Sequence, residues 1–148
     1  SVDRIISLYL PQLNSCLYKN KIGSGTYCST WFTTLFTYNF KNNEENLNFL
    51  TLKIWNDFII YGFYSIFKTS LLLFKYNEHN ILSLPNDEIL SYLFNNLISS
   101  GVFNNKNYIS SVNLLDEIYL PYELMVSLQN EYVIYEKLNI YMEDQYGN

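Results

Sequence analysis

One histidine, two cysteines, three prolines and five glycines in 148 residues close off several classes of protein before any motif is read. A sandwich or barrel stitched together by many tight turns needs more glycine and proline than this. The single His79 falls in what reads as a loop and has no second ligand at useful spacing, so no metal centre is expected. Cys16 and Cys28 lie in apolar segments at no metal spacing and read as buried free thiols of a reducing compartment. Positive charge is also scarce. Nine Lys and Arg face fourteen Asp and Glu, a net charge of −5. Nucleic-acid binders carry a positive footprint, so a nucleic-acid partner is disfavoured, as is an anionic membrane surface.

A long charge-free apolar run is missing too. The nearest candidate, Phe58 to Phe74, has Lys68 near its middle, where a cation costs about 3 kcal/mol on an insertion scale. Gly62, Ser65, Thr69 and Ser70 dilute it further, so a buried helix pair is the more economical reading and no transmembrane segment is expected. The N-terminus has no charged region followed by an apolar core, and no signal peptide is read there.

What remains is bulk. The chain is 49% hydrophobic and 18% aromatic, far from a disordered composition and enough for one domain with a sizeable core. Its spacing is helical throughout. Residues 2 to 9 read as a short helix, and Pro11 opens a second lined by Leu13, Cys16 and Leu17 and ended by Gly23-Ser24-Gly25. A third begins near Tyr27, with Cys28, Trp31, Phe32, Leu35 and Phe36 on its inner face. After a polar loop from Asn39 to Asn46 comes "KIWNDFIIYG", in which Trp55, Phe58, Ile59 and Gly62 recur at i, i+3, i+4 and i+7. Leu47, Leu50 and Ile54 extend that stripe backwards. Another helix follows Gly62 and runs to about Glu78. Pro85-Asn86-Asp87 starts a helix carrying Ile89, Leu90, Leu93, Phe94 and Leu97 that stops near Gly101. Ser110 or Ser111 caps a short one with Val112, Leu115 and Ile118, and Pro121 opens a last long helix with Leu124, Met125, Leu128, Tyr132, Tyr135 and Ile140. The expected fold class is all-α, a single helical unit of about six to eight packed helices. Trp31, Phe36, Trp55 and Phe58 are expected in its core. Gly62 is expected at a helix junction, either left-handed or pressed against a neighbouring helix.

Chemistry is thin. Gly23-Ser24-Gly25 follows a helix rather than a strand and lacks the Gly-Lys-Ser/Thr ending of a phosphate loop, so it reads as a turn. The acidic pairs Glu44-Glu45, Asp87-Glu88, Asp116-Glu117 and Glu143-Asp144 are spread over helix ends, the first two near helix starts that favour them. The fifteen tyrosines mostly supply buried area with one polar tip. No catalytic residue, metal site or cofactor site is read from the residues.

The order of segments carries more. "YLPQLNSCLYKNKI", "YCSTWFTTLF", "KIWNDFIIYG" and "YSIFKTSLLLFKYNEHNIL" together resemble the second half of the TBC domain of Rab GTPase-activating proteins. In that family a Leu-Pro-x-Leu helix precedes Trp-Phe-x-x-Leu-Phe. Ile-Trp-Asp-x-Phe-Phe-x-x-Gly and a Leu-Phe-x-x-Ala-Leu-x-Leu-Leu-Lys helix follow. Leu10, Pro11 and Leu13 match the first; Trp31, Phe32, Leu35 and Phe36 the second; Ile54, Trp55, Phe58 and Gly62 the third; Ile66, Phe67, Leu71, Leu72 and Lys75 the fourth. The match is best over residues 8 to 82. Two departures stand out: the usual aspartate after the tryptophan is Asn56, and the second aromatic is Ile59. Asn56 keeps a hydrogen-bonding oxygen and loses the charge.

The resemblance implies a cytoplasmic regulator of vesicle trafficking, peripheral to endomembranes through a Rab-type small GTPase as partner, with no cofactor. That family speeds GTP hydrolysis with an arginine in Ile-x-x-Asp-x-x-Arg and a glutamine in Tyr-x-Gln-Gly, both from the first half of its domain. Arg4 in "SVDRII" and Gln12, Gln129 and Gln145 fit neither motif, so a C-terminal supporting part without its own fingers is the expectation. The alternative implied is a TBC-derived helical interaction module that stimulates no hydrolysis.

Overall fold

The computed structural model describes residues 2–34, 45–97 and 116–146. Among them are seven α-helices and no strand: α1 Val2–Tyr9, α2 Pro11–Lys19, α3 Ser24–Thr34, α4 Glu45–Tyr61, α5 Phe63–Ser83, α6 Ile89–Asn95 and α7 Tyr122–Tyr146, with a 3-10 turn at Asn86–Glu88. The protein is all-α. Contacts divide it into two compact units, Val2–Tyr119 and the residues from Leu120 onward. The second unit consists, in its described part, of α7, entered through Pro121, whose carbonyl accepts the Met125 N–H at 3.3 Å.

The larger unit is built around α5. Its residues Thr69, Ser70, Leu71, Leu72, Leu73 and Phe74 are buried consecutively, so the helix middle is covered on every side. An α-helix with no solvent face must be wrapped by others. α1, α2 and α4 pack directly on it, and α3 reaches it through rings: Tyr27, Trp31 and Phe74 stand 5.0 to 5.4 Å apart, tilted or edge-on. Trp31 and Tyr27 are fully buried there. The buried hydroxyl of Ser70 is satisfied within α5, its Oγ donating to the Ile66 carbonyl at 2.8 Å. α5 runs to Ser83, beyond the expected end near Glu78, because Ile81 still has core to enter. His79 therefore sits on a helix rather than in a loop. Pro85 stops the run by holding Leu84 extended, at ψ 149°.

α2 ends differently from the expectation too. Gly23-Ser24-Gly25 does not terminate it; Ser24 and Gly25 already form the first turn of α3. The stop is earlier, a Schellman arrangement in which the Ile22 N–H reaches the Leu17 carbonyl at 2.9 Å and the Lys21 N–H the Tyr18 carbonyl at 3.0 Å. Lys21 takes the left-handed position at φ 57°, and buried Ile22 and Leu17 supply the apolar contact of the motif. Asp3 of α1 then starts α3 from outside: its Oδ1 accepts the Ser24 N–H at 2.9 Å and its Oδ2 the Ser24 hydroxyl. A carboxylate at a helix start satisfies an orphan donor and meets the positive dipole end.

α6 is tied to α5 by one buried side chain. Asn77 Nδ2 donates to the carbonyls of Leu73 and Leu97, both at 2.8 Å, and its Oδ1 accepts the Tyr92 hydroxyl at 2.7 Å. That hydroxyl also accepts from Asn80 Nδ2 at 3.2 Å. α6 ends at Asn95, short of the expected stop near Gly101, which lies outside the described residues, as do Leu35, Phe36, Val112 and Leu115. Ile118 is buried in a turn, not in a helix. The turn is held by Tyr9 Oη donating to the Tyr119 carbonyl at 2.6 Å and Tyr76 Oη to Glu117 Oε2 at 2.9 Å.

Asn77→Leu should cost about 1–3 kcal/mol in denaturant unfolding, because it removes the buried amide that bonds the Leu97 carbonyl and the Tyr92 hydroxyl. At the two positive-φ positions the signs should oppose: Lys21→Gly should stabilise by about 1 kcal/mol and Gly62→Val should destabilise by about 1–3 kcal/mol, both read as shifts in the unfolding midpoint.

Candidate interaction surface

The junction of α4 and α5 brings together Phe32, Phe58 and Gly62 among the residues singled out by the sequence. Gly62 closes α4 through its N–H on the Phe58 carbonyl at 2.7 Å, and its own carbonyl opens α5 by accepting the Ser65 N–H at 3.1 Å and the Ser65 hydroxyl at 2.8 Å. Its backbone, φ 65° and ψ −149°, lies in a region essentially reserved for glycine. A Cβ built there would meet nothing within 4 Å. Of the two reasons expected for this glycine, conformation holds and crowding does not. α5 leaves α4 at the turn with room to spare.

Beside the turn, Phe58 meets Phe63 edge-on at 5.4 Å, and Phe32 of α3 bridges Phe63 at 6.1 Å and Phe67 at 5.2 Å. Phe32 and Phe58 are half-buried. Ile54 is buried, as are Leu13 and Trp31, while Pro11 is exposed as the first residue of α2. Trp55 is the exception to the expected core. It is 42% exposed.

The reason is which face of α4 turns inward. Leu50 and Ile54 are buried against the unit, with Phe58 half-buried one further turn on. Residue 55 lies about 100° round the helix from residue 54, at the edge of that face. It heads a second stripe, Leu52, Trp55 and Ile59 at i, i+3 and i+7, flanked by Ile60. Leu52 is 63%, Ile59 76% and Ile60 69% exposed. α4 is thus apolar on two faces, and the outward one is what no periodicity count separated from the inward one. Asn56 is exposed in the middle of it. Lys53 and Asp57 lie one turn apart, and Asp57, seven residues on from buried Leu50, is half-buried toward the inner face. Burial pushes the Asp57 carboxyl above the usual carboxylate range, and Lys53 offsets this only in part.

The remaining chemistry-bearing groups do not assemble. Cys16 and Cys28 are free, the first half-buried and the second buried; burial pushes the Cys28 thiol and the Tyr27 hydroxyl well above their ordinary values, Asp3 adding to both. A thiol held protonated is no nucleophile. Among the described residues no three His, Cys, Asp or Glu side chains are grouped to hold a metal ion, and no helix is long and apolar enough to cross a membrane. Lys68 of the apolar run is half-buried, with Nζ 5.5 Å from the Tyr64 ring centroid; burial lowers its pKa and Asp116 works against that. An open cavity of about 550 Å³ beside Tyr9 has an apolar floor of Leu10, Leu71 and Ile118 and a rim of Lys75, Glu78 and Glu117. It contains neither a histidine nor a thiol.

The geometry defines an all-helical unit wrapped round the buried middle of α5, with an apolar face of α4 left outward. Comparison narrows the class. A model of the RabGAP TBC domain family matches residues 1–136, and the chain belongs to that family. The match is wider than the 8–82 read from motifs. Over 112 residues the chain is 29% identical to the GTPase-activating protein GYP5 of Saccharomyces cerevisiae, covering 76% of this chain and 12% of that one. It is 30% identical over 90 residues to human TBC1 domain family member 2A, covering 60% and 9%, and 28% identical over 90 residues to the GTPase activating protein Gyp51 of Schizosaccharomyces pombe, covering 61% and 8%. The chain spans about a tenth of the length of these relatives. No solved structure matches it.

The two tryptophans should respond oppositely. Trp31→Ala should destabilise by about 3–5 kcal/mol, the usual cost of deleting a large buried aromatic. Trp55→Ala should cost less than about 1 kcal/mol, as surface substitutions do. Paired urea titrations of the two variants read the difference directly.

Proposed function

We propose that this chain is the C-terminal helical part of a TBC domain that activates GTP hydrolysis on Rab-type GTPases. It supports the half that carries the arginine and glutamine fingers and adds contacts to the GTPase, while holding no finger of its own. The observation that carries this reading is the family match across residues 1–136, together with relatives named as GTPase-activating proteins. The two compact units would then be parts of one domain. Pro11, Leu13, Trp31, Phe32, Phe36, Ile54, Trp55, Phe58 and Gly62 would be its structural motif positions. The setting would be cytoplasmic, peripheral to endomembranes through the GTPase.

The residues available fit a supporting role. Arg4 lies in α1 next to Asp3, the residue that caps α3, and outside an Ile-x-x-Asp-x-x-Arg setting. An arginine finger works by placing a permanently charged guanidinium against the transferred phosphoryl, and losing one costs about 10³–10⁵ in rate. Gln12 on α2 and Gln129 on α7 stand in no water-positioning motif. A second reading, a TBC-derived module that binds without stimulating hydrolysis, is favoured by the outward apolar face of α4 with uncharged Asn56 at its centre.

Single-turnover phosphate release across a panel of Rab GTPases separates these. Residues 1–148 alone should leave the intrinsic rate unchanged, and the same chain extended upstream through the first half of the domain should raise it by about 10³-fold or more. Stimulation by residues 1–148 that Arg4→Ala abolishes would overturn the supporting role. No stimulation by the extended protein on any Rab would leave the binding module as the function.

A further inference from the structure

We propose that Tyr119 is a site of tyrosine phosphorylation, and that a phosphoryl group there releases the turn at residues 116–119 from the wall of the cavity beside Tyr9. The site is independent of the action on GTPases proposed above. Among the described residues the tyrosine rings most open to solvent are Tyr18, Tyr61, Tyr119 and Tyr122. Tyr18 lies within α2, Tyr61 ends α4 and Tyr122 begins α7. A kinase must bring the acceptor hydroxyl to a base and a γ-phosphate inside a cleft, and a helix about 10–12 Å across with its side chains does not enter one. Tyr119 is 83% exposed and belongs to no helix. Pro121 disfavours helix at the residue before it, and burial alternates along the segment: Ile118 and Leu120 are in, Tyr119 is out. The Tyr119 carbonyl is engaged by Tyr9, while its hydroxyl has no hydrogen-bond partner among the described residues.

The flank carries a charge signal that the other three tyrosines lack. Asp116 and Glu117 stand three and two residues upstream, the first exposed and the second half-buried. No Lys or Arg lies between Lys106 and Lys137 to cancel them. Tyr18 is followed by Lys19, Tyr61 is preceded by Phe58, Ile59 and Ile60, and Tyr122 follows Leu120 and Pro121. Kinases choose substrates in part by charge around the acceptor, and two carboxylates just upstream suit an enzyme with a basic groove. In the transfer, Tyr119 Oη forms a bond to the γ-phosphorus of ATP and the bond to the β,γ-bridging oxygen breaks. ADP leaves and the phenol proton passes to the kinase's base.

The new group brings a charge of about −1.5 to −2 at pH 7. Tyr119 lines the cavity together with Glu78 and Glu117, against the one ammonium of Lys75, so repulsion outweighs attraction. Two hydrogen bonds pin the turn there, Tyr9 Oη on the Tyr119 carbonyl and Tyr76 Oη on Glu117, with Ile118 in the apolar floor between them. Tyr119 is the last residue of the larger unit. Loosening the turn therefore frees the chain where it passes on to α7.

Folded residues 1–148, treated with ATP and the catalytic domain of an acid-selecting tyrosine kinase, test the site by peptide mass spectrometry. The expected result is one phosphate, on Tyr119, absent from Tyr119→Phe. Asp116→Asn combined with Glu117→Gln keeps the shape of both side chains and an acceptor for Tyr76. It should lower the initial rate about five- to tenfold, the loss of two exposed charge contacts. Phosphate on Tyr18, Tyr61 or Tyr122 as fast as on Tyr119, or a rate indifferent to the double neutralisation, would overturn the site. Release of the turn has its own readout. Amide hydrogen exchange over residues 116–121 should quicken roughly tenfold in the phosphorylated chain, as expected when a pinning hydrogen bond is lost, while Tyr119→Phe exchanges like the unmodified protein. Exchange unchanged by the phosphate would overturn the switch.

Discussion

Burial of the middle of α5, from Thr69 to Phe74, on every side is the constraint from which the rest of the larger unit follows. A helix whose middle has no solvent face cannot stand at an edge, so α1, α2, α3 and α4 surround it and α6 closes its far end. The mixture of residues in its middle makes that possible. Phe74 and the run Leu71–Leu73 supply bulk, while Ser65, Thr69 and Ser70 are small enough for neighbours to come close, with Ser65 and Ser70 turning their hydroxyls back to their own helix. An all-leucine helix would bury as much area and hold its neighbours further off. The serines cost little because each hydroxyl has a partner one turn back.

That hub explains which features were legible in the sequence. Helix existence was, because apolar spacing near 3.6 is what a helix packed on a hub requires: α1, the Pro11 start of α2 and the α4–α5 pair fall where the spacing puts them. Gly62 was legible as a junction because nothing else in "DFIIYGFYS" could turn the chain at positive φ. Helix ends were less so. The stop of α2 at Lys21 uses a residue with no special preference for φ 57°, held there by buried Ile22 and Leu17 on either side, so tertiary contact overrides the glycines two residues on. The start of α3 is set by Asp3, more than twenty residues away in sequence. A cap supplied by another helix leaves no local signal at the helix it caps.

The misplaced Trp55 has a different cause. α4 is apolar round most of its circumference, and a stripe drawn through Trp55, Phe58, Ile59 and Gly62 has the same spacing as one through Leu50, Ile54 and Phe58. Periodicity gives the angle between faces and not which face is inside. Only the partner helix decides, and α5 takes the side of Leu50 and Ile54. Asn77 was missed for the opposite reason: an asparagine in an apolar helix looks like a solvent-facing residue, and while its bond to Leu73 lies within α5, those to Leu97 and Tyr92 exist only once α6 has docked.

A second apolar face on a helix that already has its core contacts has a cost, because exposed bulk of that size invites aggregation. A chain that keeps Leu52, Trp55, Ile59 and Ile60 outward therefore needs something to cover them for part of its life. Asn56, exposed among them, keeps part of that face hydrated, while Asp57, seven residues on from buried Leu50, turns toward the inner side. The outward face is therefore apolar in its bulk and polar near its middle, and a periodicity that counts only bulk cannot tell it from a core face.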